Sequence, residues 1–307
     1  MSARAYMFPG QGAQTVGMGK DLCEEFPVAL EVFERAESAC GLPLRRLCFE
    51  GPMEELSQTA NSQPALVTCS IAALEAARGK GLPSPDYVLG LSLGEYAALY
   101  AAGVLSLEDS VKLVHLRGAA MQKAAEAAGG TMTSILGASE EDVVAAVEKS
   151  SEFGVINTAN FNCPGQVVIS GEVKAIEAAE QILKSIPRVR VMRLNVSGAF
   201  HSQLMAPAAI ELKAALDEVT WLEPEIPIVQ NVCYAPVKSV DEIRRNLVAQ
   251  VTGSVHFERS VNALIALGVV AFTEVGPGRV LAGLVRRTSR DVAIANLGLA
   301  TEIAALS

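Results

Sequence analysis

Histidine, paired cysteines and basic charge are scarce in this sequence of 307 residues. It contains three histidines and six cysteines, and these form neither a Cys-x-x-Cys pair nor a histidine–cysteine cluster. Metal sites are commonly built on such clusters, so we expect reduced thiols and no metal ion. Lysine and arginine total 25 against 34 acidic residues, which gives a formal net charge of −9. Since nucleic-acid-binding proteins carry a basic footprint, we expect no nucleic-acid partner.

Long apolar runs are also missing, since no segment approaches the about 20 apolar residues of a membrane span. We therefore predict a cytoplasmic protein that makes no contact with a membrane, and we expect a monomer. Hydrophobic residues make up 50% and charged residues 19% of the chain, which is typical of a folded globular protein. The length allows one large domain, or a large and a small one.

Apolar segments of strand length alternate with helical patterns along most of the chain. This alternation predicts the α/β class, with a mainly parallel sheet covered by helices on both faces. The predicted strands are Ala3–Phe8, Tyr87–Leu91, Ile226–Val232, Val269–Val275 and Val292–Ala295. The predicted helices include Pro27–Cys40, one that Gln63-Pro64 opens and that ends near Arg78, Leu107–Met121, Asp241–Gln250 and Glu258–Leu267.

The pattern changes between Gly129 and Leu194. Strands are predicted at 131–136, 155–160, 166–170 and 189–194, and helices at 139–150 and 173–185. The resulting order, β-α-β-β-α-β, is the ferredoxin-like arrangement. We therefore expect residues 128–196 to form an inserted ferredoxin-like subdomain, and residues 1–127 and 197–307 to form the catalytic core.

A Gly-x-Ser-x-Gly motif, Gly90-Leu91-Ser92-Leu93-Gly94, lies between a predicted strand and an alanine-rich predicted helix. This is the setting of a nucleophile elbow, in which a sharp turn exposes the serine hydroxyl. Glycine at both ends permits the turn because it has no Cβ to clash. Ser92 is therefore the candidate nucleophile, although the same residues would also suit a glycine-lined turn with an inert serine.

A serine hydroxyl needs a base to take its proton, and three histidines are available. His201 follows a predicted strand and a glycine-containing loop, which is where catalytic groups concentrate. His115 lies inside a predicted helix, where a packing role is favoured, and His256 lies in a short loop. His201 is the favoured base, and the other two stay open as alternatives.

An oxyanion hole requires two N–H groups near the nucleophile. In the elbow arrangement, one comes from the residue after the serine, here Leu93, and the other from an early loop after a strand. The loop Pro9-Gly10-Gln11-Gly12 has suitable chemistry. An ordinary tight turn is the alternative interpretation of that loop.

Taken together, six motifs make the chain resemble the malonyl-CoA:acyl carrier protein transacylases, the stand-alone acyltransferases of fatty acid synthesis. The resemblance spans residues 6 to 288, and it is specific because the motifs occur in order. They are Phe8-Pro9-Gly10-Gln11-Gly12-Ala13-Gln14, Gln63-Pro64-Ala65, Gly90-Leu91-Ser92-Leu93-Gly94-Glu95-Tyr96, His115-Leu116-Arg117-Gly118, Gly198-Ala199-Phe200-His201-Ser202 and Glu274-Val275-Gly276-Pro277-Gly278.

The resemblance implies an α/β-hydrolase-like core and a ping-pong transfer of malonyl from malonyl-CoA to acyl carrier protein, with no cofactor. Ser92 would form the acyl-enzyme, and His201 would act as base and then as acid. Gln11 and Leu93 would donate the oxyanion-hole N–H groups. The main-chain carbonyl of Gln250 would orient the histidine, in place of an aspartate.

The resemblance also implies a substrate-binding set. Arg117 would bind the malonyl carboxylate in a bidentate pair, for which its planar fork is suited. Met121 lies one turn further along the same helix face. Phe200 is bulky where relatives that accept branched units carry a smaller residue, which favours malonyl. The chain departs from the family pattern at Leu91, where histidine is common.

Three alternatives remain open from the sequence: an acyltransferase of polyketide synthesis with a related extender unit, a serine thioesterase or esterase, and a non-enzymatic scaffold. A hydrolase would need an acidic third triad member and would leave a buried arginine unexplained. Carrier docking requires a local basic patch, because carriers of this pathway are acidic, as is this chain. Arg190 in the small subdomain and Arg287 near the C-terminus are the candidates for docking carrier or coenzyme A.

Overall fold

The computed structural model describes residues 3–306 and contains two sheets with helices packed around them. The strands are β1 (Ala3–Phe8), β2 (Tyr87–Gly90), β3 (Thr131–Leu136), β4 (Ile156–Cys163), β5 (Gln166–Gly171), β6 (Arg190–Arg193), β7 (Ile228–Val229), β8 (Pro236–Val237), β9 (Val269–Val275) and β10 (Ala293–Leu297). The helices are α1 (Lys20–Glu25), α2 (Pro27–Cys40), α3 (Leu44–Phe49), α4 (Met53–Leu56), α5 (Thr59–Gly79), α6 (Gly94–Ala101), α7 (Leu107–Ala128), α8 (Glu140–Ser150), α9 (Val173–Lys184), α10 (Ala206–Leu216), α11 (Val240–Thr252), α12 (Phe257–Ala266), α13 (Val280–Thr288) and α14 (Ala300–Ala304).

The larger sheet has the order β10-β9-β1-β2-β7-β8 and is parallel except for β8, which runs antiparallel to β7. Its central strand β1 is buried on both faces. Tyr6 and Phe8 contribute to one hydrophobic cluster, while Ala5 and Met7 contribute to another. Burial on both faces explains the nearly continuous apolar strands, and the predicted parallel α/β class is confirmed.

The two central strands end together at one edge of this sheet. Phe8 of β1 is in register with Gly90 of β2, and the Leu91 N–H donates to the Phe8 carbonyl over 3.0 Å. The loops that follow β1 and β2 therefore emerge side by side. This register places the Gln11 loop next to the Ser92 turn.

The smaller sheet is antiparallel, has the order β4-β5-β3-β6 and is formed by a continuous segment of chain together with α8 and α9. It is attached to the rest of the protein through β4. Phe161 donates its N–H to the carbonyl of Val255 over 2.9 Å, and Val255 donates to that of Ala159 over 2.8 Å. Strand β4 therefore lies against the loop that precedes α12.

Several predicted boundaries were wrong. The strand expected at 226–232 is limited to Ile228–Val229, because the chain turns at Gln230 and Asn231, whose polar side chains enter the interior. Pro64 lies inside α5, which begins five residues earlier at Thr59, and not in its first turn. Tertiary packing overrides local propensity there, since most of α5 is buried. Helix α7 continues to Ala128, and six helices were not predicted: α1, α3, α4, α10, α13 and α14.

No helix within residues 3–306 is long and apolar enough to cross a membrane.

Candidate active site

Ser92 lies at the turn between β2 and α6, with a positive φ of 53°. This backbone conformation is strained for a serine and is stable only where the surroundings enforce it. Two glycines make the turn possible. A Cβ on Gly90 would lie 2.0 Å from the carbonyl carbon of Gly94, and one on Gly94 would lie 2.2 Å from the Phe8 carbonyl oxygen. No side chain fits at either position, which explains the Gly-x-Ser-x-Gly spacing.

His201 is in contact with the Ser92 hydroxyl, at 2.9 Å between Nε2 and Oγ. Its other ring nitrogen, Nδ1, lies 2.8 Å from the main-chain carbonyl of Gln250. A carbonyl can only accept a hydrogen bond, so Nδ1 carries the proton and Nε2 is free to accept from Ser92. Burial, together with the charge of Arg117, lowers the pKa of His201 to about 4. The imidazole is therefore neutral at neutral pH, as a general base must be.

The small subdomain supports the backbone of His201, whose φ is 58°. The side-chain amide of Asn157, on β4, donates to the His201 carbonyl over 2.7 Å. The other two histidines lie elsewhere: His115 is in α7, and His256 stacks on Phe161 with ring centroids 4.8 Å apart. Of the three candidates, the structure brings only His201 to Ser92.

Arg117 projects from α7 and is 1% exposed. Its Nη1 donates to Gln63 Oε1 over 2.7 Å, and its Nη2 donates over 3.0 Å to both Ser92 Oγ and Gln250 Oε1. Its Nε has no hydrogen-bond partner within residues 3–306. Burial lowers the pKa of Arg117, but a guanidinium stays charged in proteins. A buried cation thus lies against the nucleophile, and its Nε–H is unused.

A cavity of about 360 Å³ opens over these groups, between the core and the small sheet. The core contributes Gln11, Ser92, Arg117, Met121, Phe200 and His201, among others. The small sheet contributes Met132, Asn160, Asn162 and Val168, and the segment after β6 contributes Leu194, Asn195 and Val196. Leu91 also lines the cavity, where it presents an apolar surface beside the nucleophile. The cavity is lined by both polar and apolar residues, and Arg117 contributes a cation to it.

The remaining predicted site residues are Leu93 and Gln250, which belong to this arrangement, and Arg190 and Arg287, which lie outside it. Leu93 is the N-cap residue of α6, so its N–H belongs to the group that has no partner within the helix. Gln250 is buried and contributes both its carbonyl and its side chain. Arg190 on β6 and Arg287 on α13 are exposed and do not line the cavity.

Sequence reasoning missed three buried polar residues at this site. Gln63 holds Arg117, Asn231 accepts a hydrogen bond from the Ser92 N–H, and Glu95 holds Asn231. Gln63 and Glu95 occur in motifs that carry the family resemblance, so the sequence pointed to their positions but did not predict what these residues do. Asn231 gave no signal, because it fell inside a predicted strand.

Comparison with known proteins identifies what this arrangement resembles. The model of the acyl transferase domain family matches residues 5–303. A Bacillus subtilis protein named malonyl CoA-acyl carrier protein transacylase is 45% identical over 291 residues, which cover 94% of this chain and 92% of that protein. The crystal structure of an acyl carrier protein S-malonyltransferase from Vibrio cholerae superposes with a TM-score of 0.95 at 37% identity and covers all of both chains. A complex of a type II polyketide acyl-carrier protein with its malonyl-transacylase also matches, with a TM-score of 0.95, 38% identity and 99% of each chain covered.

Proposed function

Because the chain belongs to the acyl transferase family, among the malonyl-CoA:acyl carrier protein transacylases, we propose that Ser92 carries the malonyl group between two thiols. The activity is transfer of malonyl from malonyl-CoA to the phosphopantetheine thiol of an acyl carrier protein. The observation that supports the serine mechanism is the continuous hydrogen-bonded line from Ser92 through His201 to the Gln250 carbonyl.

In the first half-reaction, His201 Nε2 takes the proton as Ser92 Oγ attacks the thioester carbonyl. The negative charge that develops on the carbonyl oxygen is stabilised by the backbone N–H groups of Leu93 and Gln11. The Gln250 carbonyl stabilises the imidazolium through its bond with Nδ1–H. Collapse of the intermediate releases coenzyme A, whose thiolate takes the proton from His201, and leaves a malonyl ester on Ser92.

The second half-reaction reverses these roles. The carrier thiol gives its proton to His201, the thiolate attacks the malonyl ester, and His201 returns the proton to Ser92 as the ester breaks. We propose that no cofactor takes part, since Ser92 and His201 supply the nucleophile and the base. Arg117 binds the free carboxylate of the malonyl group through its guanidinium N–H groups. Met121 and Phe200 close the apolar sides of the pocket.

The acidic limb of the pH profile tests the assignment of His201. The base must be neutral, and burial lowers its pKa from the ordinary 6.5 to about 4. We therefore expect kcat/KM for acyl-enzyme formation to fall only when the pH drops through about 4. Short rapid-quench assays after a pH jump measure this, and full recovery of activity at neutral pH is the control for unfolding. An acidic limb near 6.5 would assign the base to a more exposed group.

A serine hydrolase on the same core is the competing function. The contact that argues against it is at His201 Nδ1, which faces a main-chain carbonyl where a hydrolase triad has a carboxylate. Arg117 also has no purpose in a general esterase. The test is the lifetime of the malonyl-enzyme without carrier: a transacylase retains the ester, whereas a hydrolase turns it over with water.

The pathway served is a separate question, because one matching structure is a complex with a polyketide carrier. We propose a fatty acid synthesis role, with transfer to a polyketide carrier as the alternative. Parallel assays of kcat/KM with one carrier of each type decide between them. The monomeric state and the cytoplasmic location stay predictions from the sequence.

We also propose that the larger unit is α/β-hydrolase-like and the smaller one ferredoxin-like, with the boundaries 1–127 plus 197–307 and 128–196. The strand–turn–helix setting of Ser92 supports the first assignment. Two observations support the second assignment: the elements follow one another in the chain as β-α-β-β-α-β, and the four strands form one antiparallel sheet of order β4-β5-β3-β6.

Carrier docking is proposed at the end of the small sheet where β4 turns into β5. Arg190 on β6 pairs with Leu136 on β3. Arg287 lies near Cys163, at the end of β4: burial raises the pKa of the Cys163 thiol, and the charge of Arg287 opposes that rise. Arg287 also lines a separate surface cavity with Arg286 and Arg290. These exposed arginines provide local positive charge on an acidic protein.

Reversing this charge is expected to weaken carrier binding selectively. Arg190→Glu and Arg287→Glu should each raise the Michaelis constant for carrier about 3- to 10-fold at low salt, and less at high salt because exposed charges are screened. Lys80→Glu is the matched control, since Lys80 is exposed and precedes β2, at the opposite edge of the sheet from Ser92. The docking site would be refuted if all three changes raised the Michaelis constant for carrier equally, or if none of their effects depended on salt.

A further inference from the structure

The buried side-chain amide of Asn231 is hydrogen-bonded to the main chain of the turn that carries Ser92. The proposed mechanism gives this amide no role. Asn231 is 0% exposed, and its Oδ1 accepts from the Ser92 N–H over 2.7 Å. Its Nδ2 donates to the Gly90 carbonyl, also over 2.7 Å. One side chain therefore satisfies two main-chain groups on either side of the sharpest point of the turn.

These two hydrogen bonds act on a strained conformation. Ser92 has a φ of 53°, and such a backbone persists only where neighbouring groups enforce it. An amide carries one donor group and one acceptor, as the two main-chain groups require. Gln250 Nε2 also donates to Asn231 Oδ1 over 3.1 Å. The same amide is thereby coupled to the residue whose carbonyl orients His201.

Asn231 is itself held by a buried carboxyl group. Glu95, in the first turn of α6, is 1% exposed, and its Oε1 accepts from the Asn231 N–H over 2.5 Å. Its Oε2 lies 3.4 Å from Gln230 Nε2. Helix α6 follows the nucleophile directly, so the contacts form a closed ring from Ser92 through α6 and Asn231 back to Ser92.

We propose that Asn231 is a positioning residue that holds Ser92 in its reactive backbone conformation, and that Glu95 acts through Asn231 by fixing its main chain. The proposal rests on the proposed function only in taking Ser92 as the nucleophile. It concerns the serine's reactivity and not the recognition of malonyl or of carrier.

The test measures Ser92 reactivity with a probe that needs neither malonyl nor carrier. A small fluorophosphonate labels an activated serine, and its second-order rate constant is followed by intact mass. For Asn231→Ala, we expect this constant and kcat for malonyl transfer to fall together by about 10- to 100-fold, since a misplacement of about 1 Å can cost about 100-fold. The Michaelis constant for malonyl-CoA should change by less than about twofold, because the acyl pocket is untouched.

Two further variants separate positioning from general loss of structure. Asn231→Asp keeps the acceptor for the Ser92 N–H but sets a charged oxygen against the Gly90 carbonyl, so we expect a smaller loss, about 10-fold. Glu95→Gln keeps an acceptor for the Asn231 N–H and should stay within about threefold of the wild type, whereas Glu95→Ala should lose about 10-fold.

Asn246→Ala is the matched control. Asn246 is half-buried and donates to Gln230 Oε1 over 2.9 Å, so it supports the same turn without contacting Ser92, Gly90 or Glu95. It should label at the wild-type rate even if its melting temperature falls.

The proposal would be overturned if Asn231→Ala were labelled at the wild-type rate, or if the labelling rate constant of Asn246→Ala fell as much as that of Asn231→Ala. If Asn231→Ala does not fold, Asn231→Asp decides by the same criterion. Normal labelling of the wild type without malonyl transfer would instead refute the proposed function and leave the positioning role intact.

Discussion

Replacing Ser92 with alanine is expected to abolish the acyl-enzyme and to reduce malonyl transfer by about 10⁴-fold or more. The reason is that Ser92 Oγ is the proposed nucleophile and is within hydrogen-bond distance of both His201 and Arg117. The fold should persist, because the elbow is held by backbone contacts: the Ser92 N–H still donates to Asn231, and both glycines remain. The measurement is intact mass after incubation with malonyl-CoA, with and without carrier.

The control for this experiment is Ser57→Ala. Ser57 lines the same cavity but lies outside the line from Ser92 to Gln250, so its variant should acquire the malonyl group normally. A malonyl group on the Ser92→Ala protein would show that another residue is the nucleophile. In that case, the mechanism proposed for both half-reactions would be wrong.

Replacing Arg117 with alanine is expected to cut kcat/KM for malonyl-CoA by about 10²-fold, because removing one partner of a buried charge pair costs about 2–5 kcal/mol. The malonyl carboxylate would then be desolvated in a pocket without a cation. Acetyl-CoA has no carboxylate, so its use should be unaffected or improved in this variant. Any loss through the Nη2 contact with Ser92 Oγ would be common to both substrates and cancels in their ratio.

The deciding quantity is therefore the ratio of kcat/KM for malonyl-CoA to that for acetyl-CoA. Arg117→Lys should restore little of it, because a single ammonium cannot replace a fork that also bonds Gln63 and Gln250. A parallel loss for the two substrates would make Arg117 structural. That result would remove the main physical support for the choice of malonyl.

Much of the fold was predictable because its signals are local. The strand at Ala3–Phe8, the helix at Pro27–Cys40 and the strand at Val269–Val275 were predicted with the boundaries that the structure has. Errors arose where distant contacts override local preference. Pro64 is accommodated within the buried α5, and the expected strand at 226–232 is cut short where Gln230 and Asn231 turn into the interior.

The turn that carries Ser92 is encoded locally. Gly90 is required by its close contact with Gly94, four residues further along, so the position of the Ser92 turn follows from a short motif. The order of strands and helices, and hence the α/β class, follows from apolar periodicity over a few residues at a time. Both are encoded by residues near one another in the chain.

The groups that meet at the serine, in contrast, come from distant parts of the chain and are brought together by folding. His201, Asn231 and Gln250 lie more than a hundred residues from Ser92, and they meet it because the loop before α10, the turn after β7 and α11 pack around the Ser92 turn. Burial, a property of the whole fold, lowers the pKa of His201 and leaves Arg117 enclosed with an unused N–H. A hydrogen bond depends on a few tenths of an ångström and a pKa on the surrounding dielectric, and both take their native values only when the chain is packed.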